Sequence, residues 1–255
     1  MSGFVVVVPA RYASTRLPGK ALLEIAGKPM LQHVYERATE SNATEVVIAT
    51  DDTRIADAGE AFGATVCMTG NQHRSGTERI AEVCELLDWS DDQIVVNLQG
   101  DEPSMPAALI NECAALLEDA SAHIATLASP FLSREDFESA NCVKVVRDEN
   151  AHAIYFSRAA IPHARNEEHN ELAIESALHH HGIYAYRCNV LQQLVAAEPS
   201  ALEISEQLEQ LRALSMGLTI AVGVPSERPG IGIDTEDDLQ RAEKELSAVL
   251  RRPGN

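Results

Sequence analysis

A run of bulky apolar residues, Phe4, Val5, Val6, Val7 and Val8, opens directly into a loop rich in proline and cations. β-Branched and aromatic residues without polar alternation make a strand buried on both faces, the kind found inside parallel sheets covered by helices. That alone points to an α/β architecture. The following segment, 9–20, contains Pro9, Pro18 and Gly19, so it leaves the sheet as a shaped turn. In open α/β sheets, ligands bind beyond the carboxyl ends of the strands. Between positions 9 and 28 four cations, Arg11, Arg16, Lys20 and Lys28, are set against one anion, Glu24, in a chain whose formal charge is -19. Such a local reversal of sign predicts an anionic ligand, a phosphate by preference; the competing reading is a solvated basic turn.

Further apolar runs at 46–49, 65–68, 94–98 and 124–127 predict more strands. Between them, apolar residues recur at helical spacing: Leu31, Val34 and Ala38 after Pro29, then Ile55, Ala58 and Phe62, then Ile80, Val83, Cys84 and Leu87. This βαβα rhythm predicts a single doubly wound, mostly parallel sheet. Residues 1–128 are expected to form the α/β core that carries the basic loop. Residues 129–190, with strands near 143–146 and 183–186 and a polar, irregular stretch at 166–175, are expected to form a smaller lobe for a second substrate and a dimer contact. Residues 191–255 return to the core through helical patterns at 204–216 and 235–250, flanking a strand at 218–224. Position 251 onward reads as a frayed tail.

Composition removes several function classes. The charge of -19 and the 4% aromatic content argue against nucleic acid and anionic membrane as partners. No stretch reaches the roughly 18 apolar residues that span a bilayer. No basic region precedes the apolar start, so no signal peptide is expected. Cys67, Cys84, Cys113, Cys142 and Cys188 form no CxxC pair and read as buried small side chains in a reducing cytoplasm, not as a zinc site.

The basic loop is not a Walker A motif, because Ala21 follows Lys20 and the first glycine is missing. The pair Gly230 and Gly232 lies too late for a dinucleotide fingerprint. Two acidic positions stand out. Asp101 follows Gln99 and Gly100 at the end of a buried strand, and Asp234 lies between the last strand and the last helix. Hard cations such as Mg²⁺ take one or two carboxylates together with substrate phosphates and water. Helix and turn capping is the alternative for both aspartates. Ser75 or Thr77 reads equally as a helix N-cap, with Arg79 facing solvent. His179, His180 and His181 alternate faces on a strand, so at most two could share a metal.

Seven blocks bring these features together: PARYASTRLPGK, HRSGTER, NLQGDEP, YFSRAAIP, HHGIYAYR, LEQLRAL and GIGIDTEDDL, in order from Pro9 to Leu239. The chain resembles the 3-deoxy-manno-octulosonate cytidylyltransferases over nearly its full length. That resemblance implies a Rossmann-like nucleotidyltransferase fold and the reaction of CTP with 3-deoxy-manno-octulosonate (Kdo), giving CMP-Kdo and pyrophosphate for lipopolysaccharide biosynthesis. It implies Mg²⁺ on Asp101 and Asp234, and catalytic roles for Arg16, Lys20 and both aspartates. CTP would be bound by Arg11, Ser14, Arg16, Lys20, Ser75, Gly76, Arg79, Gln99 and Gly100. The sugar acid would meet Arg158 through its carboxylate and Glu209 and Gln210 through its hydroxyls, with His180 facing it and Tyr184, whose alternative is a core aromatic, beside it. A cytoplasmic homodimer is implied as well.

The chain departs from the family at His163 and at Ser215–Met216, where aromatic residues are frequent; both lie on the sugar side. An 8-amino-Kdo or sialic-acid cytidylyltransferase is therefore the nearest alternative. A non-catalytic nucleotide-binding protein would be favoured only if Arg16, Lys20, Asp101 or Asp234 were missing, and all four are present.

Overall fold

The opening apolar run lies in the middle of the sheet. The computed structural model of the chain describes residues 3–13, 17–119 and 121–250. Its strands are β1 (Val5–Pro9), β2 (Glu24–Ile25), β3 (Lys28–Pro29), β4 (Glu45–Thr50), β5 (Thr65–Met68), β6 (Ile94–Asn97), β7 (Ile124–Pro130), β8 (Lys144–Arg147), β9 (Ala153–Ser157), β10 (Leu178–Arg187) and β11 (Ile220–Gly223). Nine of them form one sheet, in the order β11-β7-β10-β6-β1-β4-β5, with β8 paired to β10 and to β9. β2 and β3 make a separate small hairpin.

β1 pairs in parallel with β4 on one side and β6 on the other, so both its edges are paired. Its side chains alternate between two cores. Val5 and Val7 join one cluster, with Ile80, Val83, Leu191 and Leu194; Val6 and Val8 join the other, with Leu31, Val34, Leu109 and Ile110. The period of two in β1 thus meets helices on both faces, which is why every valine of the run is buried. A third, smaller cluster of Ile25, Met30, Ile233 and Ala242 docks the last helix, Glu236–Leu250, against the β2–β3 hairpin.

The mostly parallel α/β architecture matches the sequence reading, but three local expectations need correction. Residues 183–186, expected in the smaller lobe, belong to β10, which runs antiparallel between β6 and β7 in the body of the sheet. Its partners are remote in sequence, Tyr184 opposing both Asn97 and Thr126, so no local pattern announces it. The helix expected over 204–216 is two short helices, Ala201–Glu206 and Gln210–Ser215. The break falls at Gln207, in the left-handed region with φ 54°, and it turns Leu208 into the core. The polar stretch 166–175 contains the helix Asn170–Ser176 rather than irregular chain. Cys142 is half-buried, whereas the other four cysteines are buried. No helix among the described residues is long and apolar enough to cross a membrane.

Candidate nucleotide and sugar site

The topology brings the basic loop and the acidic turn to one edge. β1 and β6 are neighbouring parallel strands, with Val7 beside Asn97, so their carboxyl ends emerge together. The chain leaves β1 into the basic loop, which is closed by Gly19 N–H donating to the Tyr12 carbonyl at 3.1 Å. It leaves β6 through Gln99, Gly100 and Asp101. A Cβ at Gly100 would lie 3.0 Å from the Pro9 carbonyl oxygen, so only glycine lets the two turns approach this closely. Ile233 N–H donates to the Asp101 carbonyl at 2.9 Å and draws the 229–234 loop onto the same edge.

The side chains converge accordingly. Lys20 Nζ donates to Asp101 Oδ2 at 2.7 Å and to Asp234 Oδ1 at 2.9 Å. A cleft of about 410 Å³ opens around this trio, lined also by Arg11, Ser75, Gly76, Arg79, Gln99 and Gly100. Every predicted nucleotide and catalytic residue that the structure describes lines this cleft; Ser14 and Arg16 lie outside the described residues.

Ser75 caps the helix Gly76–Leu86, accepting from Glu78 N–H at 3.2 Å, so the first N–H groups of that helix open on the cleft. Arg79 does not face solvent as its capping alternative required. It is buried, its guanidinium 2.8 Å from Asp51 and hydrogen-bonded to Thr69 and the Gly70 carbonyl. It supports the cleft wall from behind.

Sequence reasoning missed two features. Glu102, next to Asp101, has its carboxyl pushed up to about 8 by burial and then by the negative charges of Asp101 and Asp234, with Lys20 opposing. His73 and Arg74 also line the cleft, and His73 Nε2 is hydrogen-bonded to Glu82, which accepts Gly70 N–H at 2.8 Å. Adjacency to Asp101 and Ser75 was the one signal available for these residues.

The predicted sugar residues lie beyond this cleft in two groups. Glu209 accepts from Ser75 Oγ at 2.9 Å and from Thr77 Oγ1 at 3.1 Å, and burial raises its pKa. Glu209, Gln210 and Tyr184 share a cavity of only about 10 Å³ with Thr77 and Tyr186. The Tyr184 hydroxyl and the Gln210 amide nitrogen are buried there with no hydrogen-bond partner among the described residues. His180 packs 5.3 Å from the Tyr184 ring and 5.1 Å from Phe156, with Nε2 3.2 Å from Thr126 Oγ1. Burial pushes its pKa down to about 3. β10 passes close to the Gln99 side chain, since a Cβ at Gly182 would lie 3.9 Å from Gln99 Cγ.

Arg158 stands apart from these four. Its guanidinium donates to the carbonyls of Glu206 at 2.8 Å, Ala140 at 3.2 Å and Gln207 at 3.4 Å.

Among the described residues no group of three or more His, Cys, Asp or Glu side chains could hold a metal by itself. The two aspartates on Lys20 are nonetheless an oxygen-only donor set beside a cleft lined by Arg11, Arg74 and Arg79. That environment suits a hard divalent cation that completes its shell with ligand phosphates and water.

Three comparisons bear on this arrangement. A family model described as Cytidylyltransferase matches residues 5–220. A 3-deoxy-manno-octulosonate cytidylyltransferase of Thioalkalivibrio sulfidiphilus (strain HL-EbGR7) is 52% identical over 248 residues, covering 96% of this chain and 99% of the relative. The enzyme of that name from Vibrio vulnificus (strain YJ016) is 50% identical, covering 96% of this chain and 98% of the relative. A solved structure described as CMP:2-keto-3-deoxy-manno-octonic acid synthetase complexed with CTP aligns with a TM-score of 0.89 and 41% identity, over 97% of this chain and 100% of the other. A 4-diphosphocytidyl-2C-methyl-D-erythritol synthase from Anaerococcus prevotii DSM 20548 aligns with a TM-score of 0.62 at 15% identity, a likeness of fold alone.

Proposed function

The chain belongs to the 3-deoxy-manno-octulosonate cytidylyltransferases, and we propose that its cleft joins CTP to Kdo, releasing pyrophosphate and forming CMP-Kdo. The observation that carries this reading is the meeting of Lys20, Asp101 and Asp234 at one sheet edge, beside a helix N-terminus and the Gln99–Gly100 turn.

The cytosine lies against Ser75 and Gly76, where a small side chain and free backbone groups read the base edge. Arg79 stiffens this wall, and Gln99 and Gly100 flank the ribose. Arg11 and Lys20 hold the triphosphate, together with Ser14 and Arg16 of the same loop. The anomeric hydroxyl of Kdo gives up its proton to solvent and attacks the α-phosphorus in line; the new P–O bond forms as the bond to the bridging oxygen of the β-phosphate breaks. Pyrophosphate departs with that electron pair, and Lys20 stabilises the charge it gains. Such a reaction needs alignment and charge neutralisation more than covalent help.

Asp101 and Asp234 would hold Mg²⁺, which when bound supplies Lewis acidity, easing deprotonation of the hydroxyl and offsetting phosphate charge. Arg158 takes the sugar carboxylate. Glu209, Gln210, Tyr184 and His180 read the hydroxyls, and the unpartnered Tyr184 and Gln210 groups support that role, because buried polar atoms without partners are rare. The cavity these groups share, about 10 Å³, is smaller than a sugar ring. The smaller lobe carries exposed Leu132, Ile154 and Leu172, and a homodimer built there buries them. The product serves lipopolysaccharide assembly, made in the cytoplasm.

A pyrophosphate-release assay tests the reading, with CTP, UTP and GTP crossed against Kdo, 8-amino-Kdo and a sialic acid, with and without Mg²⁺. Release is expected with CTP and Kdo in the presence of Mg²⁺. Equal release with UTP, or none with Kdo, defeats it. Preference for 8-amino-Kdo or sialic acid reassigns the sugar.

A further inference from the structure

Lys144, the first residue of β8, is wholly buried, at 0% exposure. An ammonium out of water is costly unless its three N–H groups all find acceptors. Here they do: Nζ donates to the carbonyls of Ser139 at 2.7 Å, Cys142 at 2.7 Å and Arg158 at 2.6 Å. Burial is the main reason its pKa lies below the ordinary lysine value. A methionine would fill the same space without that cost, so the position needs what only the ammonium does, which is to tie loop 139–142 to the backbone of Arg158.

Glu206 holds Arg158 from the opposite side. Its carboxylate accepts from Ser157 Oγ at 2.6 Å and from Arg158 N–H at 2.9 Å, and its carbonyl accepts from Arg158 Nε at 2.8 Å. Loop 139–142, anchored by Lys144, supplies the Ala140 carbonyl to Arg158 Nη1. Backbone nitrogen, backbone oxygen and all three guanidinium nitrogens of Arg158 are therefore fixed. Three of the five guanidinium N–H groups are used, which leaves one on each terminal nitrogen, the fork that grips a carboxylate in two places.

We propose that Lys144 and Glu206 are positioning residues that hold the Arg158 fork ready for the carboxylate of the sugar acid. The proposal rests on the reading of Arg158 given above and deepens it. The preorganisation acts on the sugar acid alone, because neither residue lines the nucleotide cleft. A lysine that merely braced the lobe would disturb both substrates alike or neither.

The test is steady-state kinetics of the full-length chain with each substrate varied, on Lys144→Met, Glu206→Gln and Arg158→Ala, with thermal melting of each. Lys144→Met and Glu206→Gln are expected to raise KM for Kdo by about tenfold or more while KM for CTP stays within about twofold, since small displacements of a substrate-gripping group cost large factors. Glu206→Gln keeps side-chain length and leaves Lys144 in place, so it decides the matter alone if Lys144→Met does not fold. Unchanged KM for Kdo in the folded variants, or parallel rises for Kdo and CTP, overturns the proposal. If Arg158→Ala raises KM for Kdo and the other two do not, only the positioning role falls. If Arg158→Ala leaves KM for Kdo unchanged, the carboxylate assignment falls and this inference with it.

Discussion

At the edge that carries Lys20, Asp101 and Asp234, charged atoms stand in an open cleft, whereas on the sugar side Glu209 and Arg158 spend theirs on the protein. The Asp101 and Asp234 side chains are 38% and 54% exposed, and Lys20 is their bridge. Glu209 is held by two hydroxyls, with Tyr184 and Gln210 enclosed beside it, and Arg158, apart from them, is held by three carbonyls. The nucleotide edge is built as a receptor that the fold does not need. The sugar side is also part of the fold, so its residues carry structure and recognition together.

That contrast can be broken or sharpened by substitution. The largest effect is expected for Asp101→Asn, which should cut kcat by about 10²–10³-fold, the usual cost of losing one group that neutralises developing charge. Its melting temperature should match the wild type, and a large loss of stability would place Asp101 in the fold after all. Arg79→Met probes a residue of the cleft wall that is packed like the other side. Removing one partner of a buried pair should cost about 3 kcal/mol in urea unfolding, and a loss of less than about 1 kcal/mol would return Arg79 to the receptor class. Glu209→Ala should combine both behaviours: about tenfold in KM for Kdo, and about 1 kcal/mol of stability from the two lost hydrogen bonds. A change in KM for CTP alone would break the division.

A last expectation is a pH dependence from the sugar-side histidines, which Glu102 on the nucleotide edge, its carboxyl pushed up to about 8, opposes. Burial lowers the pKa of His180 to about 3 and of His181 to about 4, from an ordinary value of 6.5. Both are neutral in the native state and must charge on unfolding in acid. Stability from this source is complete above about pH 6.5 and is lost as pH falls toward the native values. The melting temperature should decline from pH 7 to pH 5, and the double variant His180→Gln, His181→Asn should flatten that decline. Equal slopes in the two proteins would remove the histidines from the account.

Much of the nucleotide edge was legible in the sequence because its residues sit where a strand ends. A run such as Val5–Val8 announces a buried strand, and the turn after it must carry the chemistry. Asp101 and Asp234 were visible as carboxylates in turns, but that both contact one lysine was not. The sugar side was legible only through motif resemblance, since LEQLRAL reads by itself as an amphipathic helix. Its break at Gln207, which turns Glu209 toward Ser75 and Thr77, has no periodic signature.

By itself the sequence determined the βαβ core, the parallel run of β1, β4, β5 and β6, and the basic loop set against an acidic background. These follow from local rules: branched residues extend, prolines and glycine turn, and parallel neighbours end on one side. The tertiary structure alone decided that β10 enters the sheet reversed, that Arg79 turns inward, and that a buried lysine anchors Arg158. Each of those depends on groups far apart in the chain finding hydrogen-bond partners as water is excluded. Burial makes such partners necessary, and no stretch of sequence reveals in advance which distant groups will supply them.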